Sequence, residues 1–206
     1  NFEGKEVIRQ MKLHAPKYGN NDPYVDNIAQ DITRVYLEYA KQHSHELGIH
    51  VDPRMVPVTG HVSLGKSTGA TPNGRIAGFP LSDGASASHG SDTNGPTAVL
   101  LSNAASKLFD YRERGSRLIN IKFTPSSIAG EDGIEKLISY ILAWCDLKLW
   151  FIQFNVINKE TLLAAKETPE NYKGLIVRVA GYSAYFVELS SDLQNDIIER
   201  TQQAVI

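Results

Sequence analysis

Residues 176–184 read Ile-Val-Arg-Val-Ala-Gly-Tyr-Ser-Ala, a strand-like apolar run with one glycine, Gly181, set inside it. Glycine packs nothing and loses the most backbone freedom on folding, so inside a strand it marks a bulge, a tight bend or a close backbone approach. On these residues alone the plain reading is a bend at a strand end.

Outward from that run, hydrophobic periodicity and punctuation divide the chain into alternating elements. Helices are expected over Gly4–Leu13, Pro23–Leu47, Pro96–Leu108, Glu131–Leu149, Lys159–Glu167 and Ser191–Thr201. The second has Asp22 as N-cap, proline in its first turn and Gly48 just past its end; the last is capped by Ser190 or Ser191. Strands are expected over Val56–Leu64, Arg117–Phe123, Trp150–Val156 and Leu175–Ala180. Between Gly65 and Gly95 the chain is dense in Gly, Ser, Thr, Asn and Pro and reads as a long, functional loop. The alternation of strand and helix argues an α/β fold.

Composition narrows the classes. With 206 residues and 42% hydrophobic content the chain can bury a substantial core. A net charge of −2 gives no electrostatic footprint for nucleic acid or an anionic membrane, so neither is expected as a partner. No apolar run nears the roughly 18 residues of a membrane span, and no signal peptide opens the sequence. A single cysteine, Cys145, excludes an internal disulfide and suits a reducing interior.

One motif is a decoy. Gly60-His61-Val62-Ser63-Leu64-Gly65-Lys66-Ser67 fits the phosphate-loop pattern. Such a loop needs a helix that starts at the lysine, so that free N–H groups face the phosphates. Here Thr68-Gly69-Ala70-Thr71-Pro72-Asn73-Gly74 follows, which reads as a turn. The accompanying acidic candidate, Asp146, falls on a helix rather than a strand. The histidines are scattered and no convergent ligand set is visible, so ordinary hydrogen bonding is expected of all six and no metal site is assigned, although His61 could reach a pocket.

Arg178-Val179-Ala180-Gly181-Tyr182 resembles the radical loop of the glycyl radical enzymes, which include pyruvate formate-lyase. Ser183-Ala184-Tyr185-Phe186 and Leu193–Thr201 resemble the closing segment of that family. Thr68–Arg75, Pro80–Gly84 and Gly95–Val99 resemble consecutive upstream blocks of it in the right order, and Tyr18-Gly19-Asn20 and Ile152–Asn155 resemble further parts of it. Asn1–Gly4 resembles a segment deep inside full-length members, so the chain reads as a C-terminal piece: a processed or truncated product, the ordered part of a longer chain, or one subunit of a split enzyme. The implied architecture is the C-terminal part of a ten-stranded α/β barrel with flanking helices over residues 1–160, followed by the glycyl radical domain over 161–206.

The resemblance implies that Gly181 carries the radical, in a loop formed with Arg178, Val179, Ala180, Tyr182 and Ser183. Glycine suits the task because a radical on its α-carbon spreads into both flanking amides when the centre flattens, and a Cβ would crowd that geometry. The loop would move between a position open to an activating partner and one buried from oxygen and solvent. No cofactor is bound; the radical would be installed with S-adenosylmethionine by an iron–sulfur activating enzyme.

Arg75, Phe79 and the block Trp144–Trp150 resemble most the isethionate sulfite-lyase branch, with diol dehydratases and trimethylamine-releasing lyases as neighbours. That implies Arg75 as a donor to a sulfonate and Phe79 as a packing wall. A structural arginine tying down loop carbonyls is the competing reading. The family's second radical centre is a cysteine in a Gly-Cys-x-Glu setting absent here; Cys145, beside Trp144 in an apolar helix, reads as a buried inert thiol. A Cys-bearing N-terminal segment or large subunit is therefore the expected partner, together with the activating enzyme, a small-molecule substrate and an oligomeric assembly. The expected setting is the cytoplasm or a microcompartment of an anaerobic bacterium. A non-catalytic spare module that repairs a damaged enzyme is the alternative.

Overall fold

The computed structural model describes residues 6–49, 54–107 and 117–206. In chain order the elements are α1 (Glu6–His14), α2 (Pro23–Leu47), α3 (Gly60–Lys66), α4 (Pro96–Ala105), β1 (Leu118–Phe123), α5 (Gly130–Asp146), β2 (Phe151–Val156), α6 (Lys159–Glu167), β3 (Ile176–Arg178), β4 (Ser183–Tyr185), α7 (Ser191–Glu199) and β5 (Gln202–Gln203). The mixed α/β character agrees with the sequence. Asp22 caps α2 by accepting from the Tyr24 N–H at 2.9 Å, and Gly48 takes the left-handed conformation at its end.

A parallel sheet in the order β2-β1-β5 forms the centre. β1 and β2 run in register from Leu118↔Phe151 to Phe123↔Val156, joined through α5 as a parallel pair requires. Successive side chains point to opposite faces. Ile119, Ile121 and Phe123 sit in one buried cluster with Val99, Leu100, Tyr140 and Leu149. Asn120, Lys122, Gln153 and Asn155 occupy the opposite face, with Asn120 beside Gln153 and Lys122 beside Asn155. Lys122, Gln153 and Asn155 are all buried. Buried polar groups need partners, and the residues after β2 supply them.

Those residues form a second apolar cluster of Ile157, Leu162, Ala165, Val177, Val179, Phe186, Leu193, Ile197 and Ile198, joined by Val62 from α3. The chain then returns to the sheet: Gln203 pairs with Phe123 in β5, and Gln202 Oε1 accepts from the first amide of α6, the Lys159 N–H, at 2.8 Å. By contrast, α2 leaves Ile28, Ile32, Val35 and Tyr39 exposed at one-face spacing, and α5 likewise exposes Ile134, Ile138 and Ile141.

Three local expectations are corrected. Val56–Leu64 is not a strand: only a single bridge, Met55 to Arg117, survives, Val58 takes a positive φ of 57°, and α3 begins at Gly60. The phosphate-loop pattern thus coincides with a helix that ends at Lys66, so no helix starts at the lysine to present free amides to a phosphate, as the sequence reading expects. Ser190 precedes α7 but makes no side-chain cap. Cys145 is exposed rather than buried, because it lies on the open side of α5. β4 and β5, three and two residues long, have no counterpart in the sequence reading. The Asn1–Gly4 block, the start of the first helix at Gly4, Leu108 and His50 lie outside the described residues.

Candidate functional site

β3 and β4 pair as an antiparallel hairpin, Ile176↔Tyr185 through Arg178↔Ser183. The Val179 N–H donates to the Tyr182 carbonyl at 2.9 Å, which leaves Ala180 and Gly181 as a two-residue tip. Gly181 has φ +94° whereas Ala180 does not enter the positive region, the sign pattern of a type II turn. That turn alone selects glycine at position 181. No heavy atom beyond its chain neighbours lies within 4 Å of where a Cβ would stand, so no close approach demands it. Type II turns do not match the twist of paired strands as primed turns do, and this short hairpin is held mainly from outside.

Three side-chain amides on the polar face of the sheet hold it. Asn155 accepts from the Arg178 N–H and donates to the Arg178 carbonyl, both at 2.8 Å. Gln153 Oε1 accepts from Gly181 N–H at 3.2 Å and Arg178 Nε at 3.1 Å. Asn120 Nδ2 donates to the Val179 carbonyl at 3.2 Å and to the Asp83 carboxylate, while its Oδ1 accepts from Gln153 Nε2 at 2.5 Å. Arg178 Nη1 also reaches Ser183 Oγ across the hairpin at 2.9 Å. Val179 and Ala180 are buried; Gly181, Tyr182 and Ser183 are exposed. The shielding from solvent expected for the loop is therefore not provided by the described residues at Gly181 itself.

Beneath the hairpin lies a buried ionic cluster. Asp196 Oδ1 lies 3.2 Å from His61 Nε2 and 3.0 Å from His89 Nε2, and its Oδ2 accepts from Arg200 Nη2 at 2.8 Å. Arg200 also approaches Asp83 Oδ2 at 3.4 Å and donates to the Arg178 carbonyl at 3.3 Å. Burial pushes the Asp196 carboxyl up, but His61 and His89 facing it, with Arg200 beside it, outweigh that and hold it well below the usual carboxylate range. Nearby, Lys122 Nζ donates to the Ile197 and Ile198 carbonyls at 3.3 and 2.8 Å. Burial, aided by Lys159 and Arg200, brings the Lys122 ammonium down from 10.5 to about 8. Polar side chains therefore connect α3, the 83–92 segment, β1, β2 and α7 to the hairpin.

Arg75 and Phe79 lie elsewhere, on an open cleft of about 1300 Å³ between α1, the 71–76 turn and residues 88–94. The four Nη hydrogens of Arg75 go to carbonyls of its own loop: Nη1 to Ile76 at 3.2 Å and Phe79 at 2.6 Å, Nη2 to Thr68 at 3.2 Å and to Gly69. Its Nε is buried without a partner. Phe79 meets the His89 ring edge-on at 5.6 Å.

The sequence reading singled out Gly181 and its loop but not the residues that grip it. Asn120, Lys122, Gln153 and Asn155 were legible as polar residues at alternate positions in two otherwise apolar strands, a pattern that asks for a polar partner over a buried face. Asp196 and Arg200 are spaced four apart around the end of α7. Among the described residues no group of three or more His, Cys, Asp or Glu side chains is placed to hold a metal ion, and no helix is long and apolar enough to cross a membrane.

The glycine radical family matches residues 81–187, and the pyruvate formate lyase-like family matches residues 1–65. Isethionate sulfite-lyase of Oleidesulfovibrio alaskensis is 61% identical over 202 residues, covering 98% of this chain and 24% of that protein. Hydroxyproline dehydratase of Clostridioides difficile, solved with trans-4-hydroxy-L-proline bound, superposes with a TM-score of 0.91 at 42% identity, over 98% of this chain and 26% of that one. The glycerol-bound glycerol dehydratase of Clostridium butyricum gives a TM-score of 0.89 at 42% identity, over 97% of this chain and 25% of that one. This chain spans about a quarter of the length of these relatives.

Proposed function

The chain belongs to the glycyl radical enzyme family, and from that premise we propose that it is the radical-storing C-terminal portion of a glycyl radical lyase, with Gly181 as the site of the stored radical. The observation that carries this reading is the hairpin tip: within the family's matched region, the glycine of Arg178–Tyr182 projects at the surface while its amide is pinned from below by Gln153. An activating enzyme using S-adenosylmethionine and an iron–sulfur cluster would remove one hydrogen atom from the exposed Cα.

The stored radical then takes a hydrogen atom from a cysteine thiol on a segment outside these residues. That thiyl takes a hydrogen atom from a small hydroxylated substrate, a neighbouring bond breaks, and hydrogen atoms returned along the same path restore thiol and glycyl radical. The 61% identity to a sulfite-lyase favours C–S cleavage with sulfite release over C–O or C–N cleavage. The open apolar faces of α2 and α5 and the exposed Gly181 fit a body completed by further segments. In this reading residues 161–206 are the radical domain, Phe79 is a wall of the cleft, and Arg75 braces that wall with one Nε–H left for an anion. A spare repair module has no support, since the relatives matched across these residues carry lyase and dehydratase names.

Anaerobic activation of the complete enzyme should give a glycyl radical doublet by electron spin resonance. Incorporation of α-deuterated glycine should collapse the doublet, and Gly181→Ala should abolish it. A signal that survives Gly181→Ala sinks the assignment. Sulfite release, measured on the activated enzyme, decides the leaving group.

A further inference from the structure

We propose that Gln153 is a positioning residue for the radical, with its side-chain carbonyl fixing and polarising the amide of Gly181; the inference rests on Gly181 being the radical carrier. The orientation of this amide is settled by a chain of partners. Asp83 can only accept, so the atom of Asn120 that meets it is the donor Nδ2. Asn120 Oδ1 therefore faces Gln153 and accepts from its Nε2. Gln153 Oε1 is then left toward two donors, Arg178 Nε–H and Gly181 N–H. A flipped Gln153 would set its NH2 group against both and lose all three bonds.

The consequence lies at the atom where spin would reside. A radical at Cα draws on the lone pair of the amide nitrogen, and an acceptor at the N–H pushes electron density toward that nitrogen. A buried chain of hydrogen bonds that ends on a carboxylate polarises each member in the same sense, and Gln153 is only 4% exposed. The same contact holds the plane of the peptide between Ala180 and Gly181, which the solvent-facing tip would otherwise leave free. Gln153 acts through Gly181 and touches no substrate.

The test compares the parent with Gln153→Leu and Gln153→Glu in the complete enzyme. Before activation, hydrogen exchange at the Gly181 amide should be about fivefold faster in Gln153→Leu, the factor equivalent to one hydrogen bond of about 1 kcal/mol, and slower than that in Gln153→Glu, which keeps an acceptor but loses the Nε2 donor to Asn120. After activation, the exchangeable proton on the residue 181 nitrogen, read by electron–nuclear double resonance in H2O against D2O, should change coupling in Gln153→Leu. Equal exchange or equal couplings in parent and Gln153→Leu overturn the proposal. If Gln153→Leu does not fold, Gln153→Met carries the same expectations. Absence of any radical in the activated parent sinks the radical reading and the tuning role with it, while the exchange arm still decides the contact.

Discussion

Asn155 binds Arg178 as a neighbouring strand would, giving one donor and one acceptor to its main-chain carbonyl and N–H at 2.8 Å each. A side chain on β2 thus stands in for a backbone ladder. Asn155→Leu removes both bonds and leaves the Arg178 N–H without this partner. Two net hydrogen bonds and an orphaned donor come to about 2–4 kcal/mol. Hydrogen exchange and limited proteolysis across residues 176–185 should accelerate while β1 stays protected.

Asp196 predicts the behaviour in acid. The fold favours its ionised form, so its contribution is complete above the ordinary value of 3.8 and is lost as pH falls toward the lower folded value. Denaturant unfolding should therefore show stability falling below about pH 4 in the parent. Asp196→Asn should flatten that fall and should cost about 3 kcal/mol at neutral pH, because Arg200 loses the nearer of its two buried carboxylate partners and keeps only Asp83.

Lys122 predicts the opposite end of the scale. Its ammonium is disfavoured in the fold, so between about 8 and 10.5 the unfolded chain binds more protons and stability rises with pH. Subtracting the curve of Lys122→Met from that of the parent isolates this rise. A flat difference across that window would mean that Lys122 titrates normally.

Gly65 is set by packing rather than by phosphate. A Cβ there would stand 2.4 Å from the Phe79 carbonyl oxygen and 2.7 Å from Pro80 Cα, whereas Gly69 has open space. Gly65→Ala should cost about 1–3 kcal/mol and Gly69→Ala less than about 0.5 kcal/mol, both measured by denaturant unfolding.

Arg75→Lys tests the brace. An ammonium is a point donor that cannot reproduce the planar fork spread over four carbonyls, so the 68–79 turn should loosen and stability should drop by about 1–2 kcal/mol. A variant as stable as the parent would show that the guanidinium does not hold this loop.

The sequence carried much of the architecture because its punctuation is strong. Asp22, Pro23 and Gly48 bound α2, and Lys159–Glu167 is the helix it reads as. Short β segments were illegible, since the three residues of β4 and the two of β5 acquire their state from the partners they pair with. Val56–Leu64 misled because an apolar run is equally at home in α3, where Val62 joins the second core. The hairpin tip was legible as a bend through one glycine and its neighbours. Its support was not, because Asn120, Gln153 and Asn155 become a grip only when the β1–β2 register sets them side by side over residues some 20 to 60 positions away.

That grip has a consequence for how such a loop can evolve. A hairpin fastened by a continuous main-chain ladder has an attachment strength that sequence can scarcely alter. Here the fastening is divided among three amide side chains, each exchangeable by a single codon change and none of them in the apolar layer beneath β1. The strength with which the hairpin tip is held to the sheet is therefore a heritable variable, adjustable one side chain at a time.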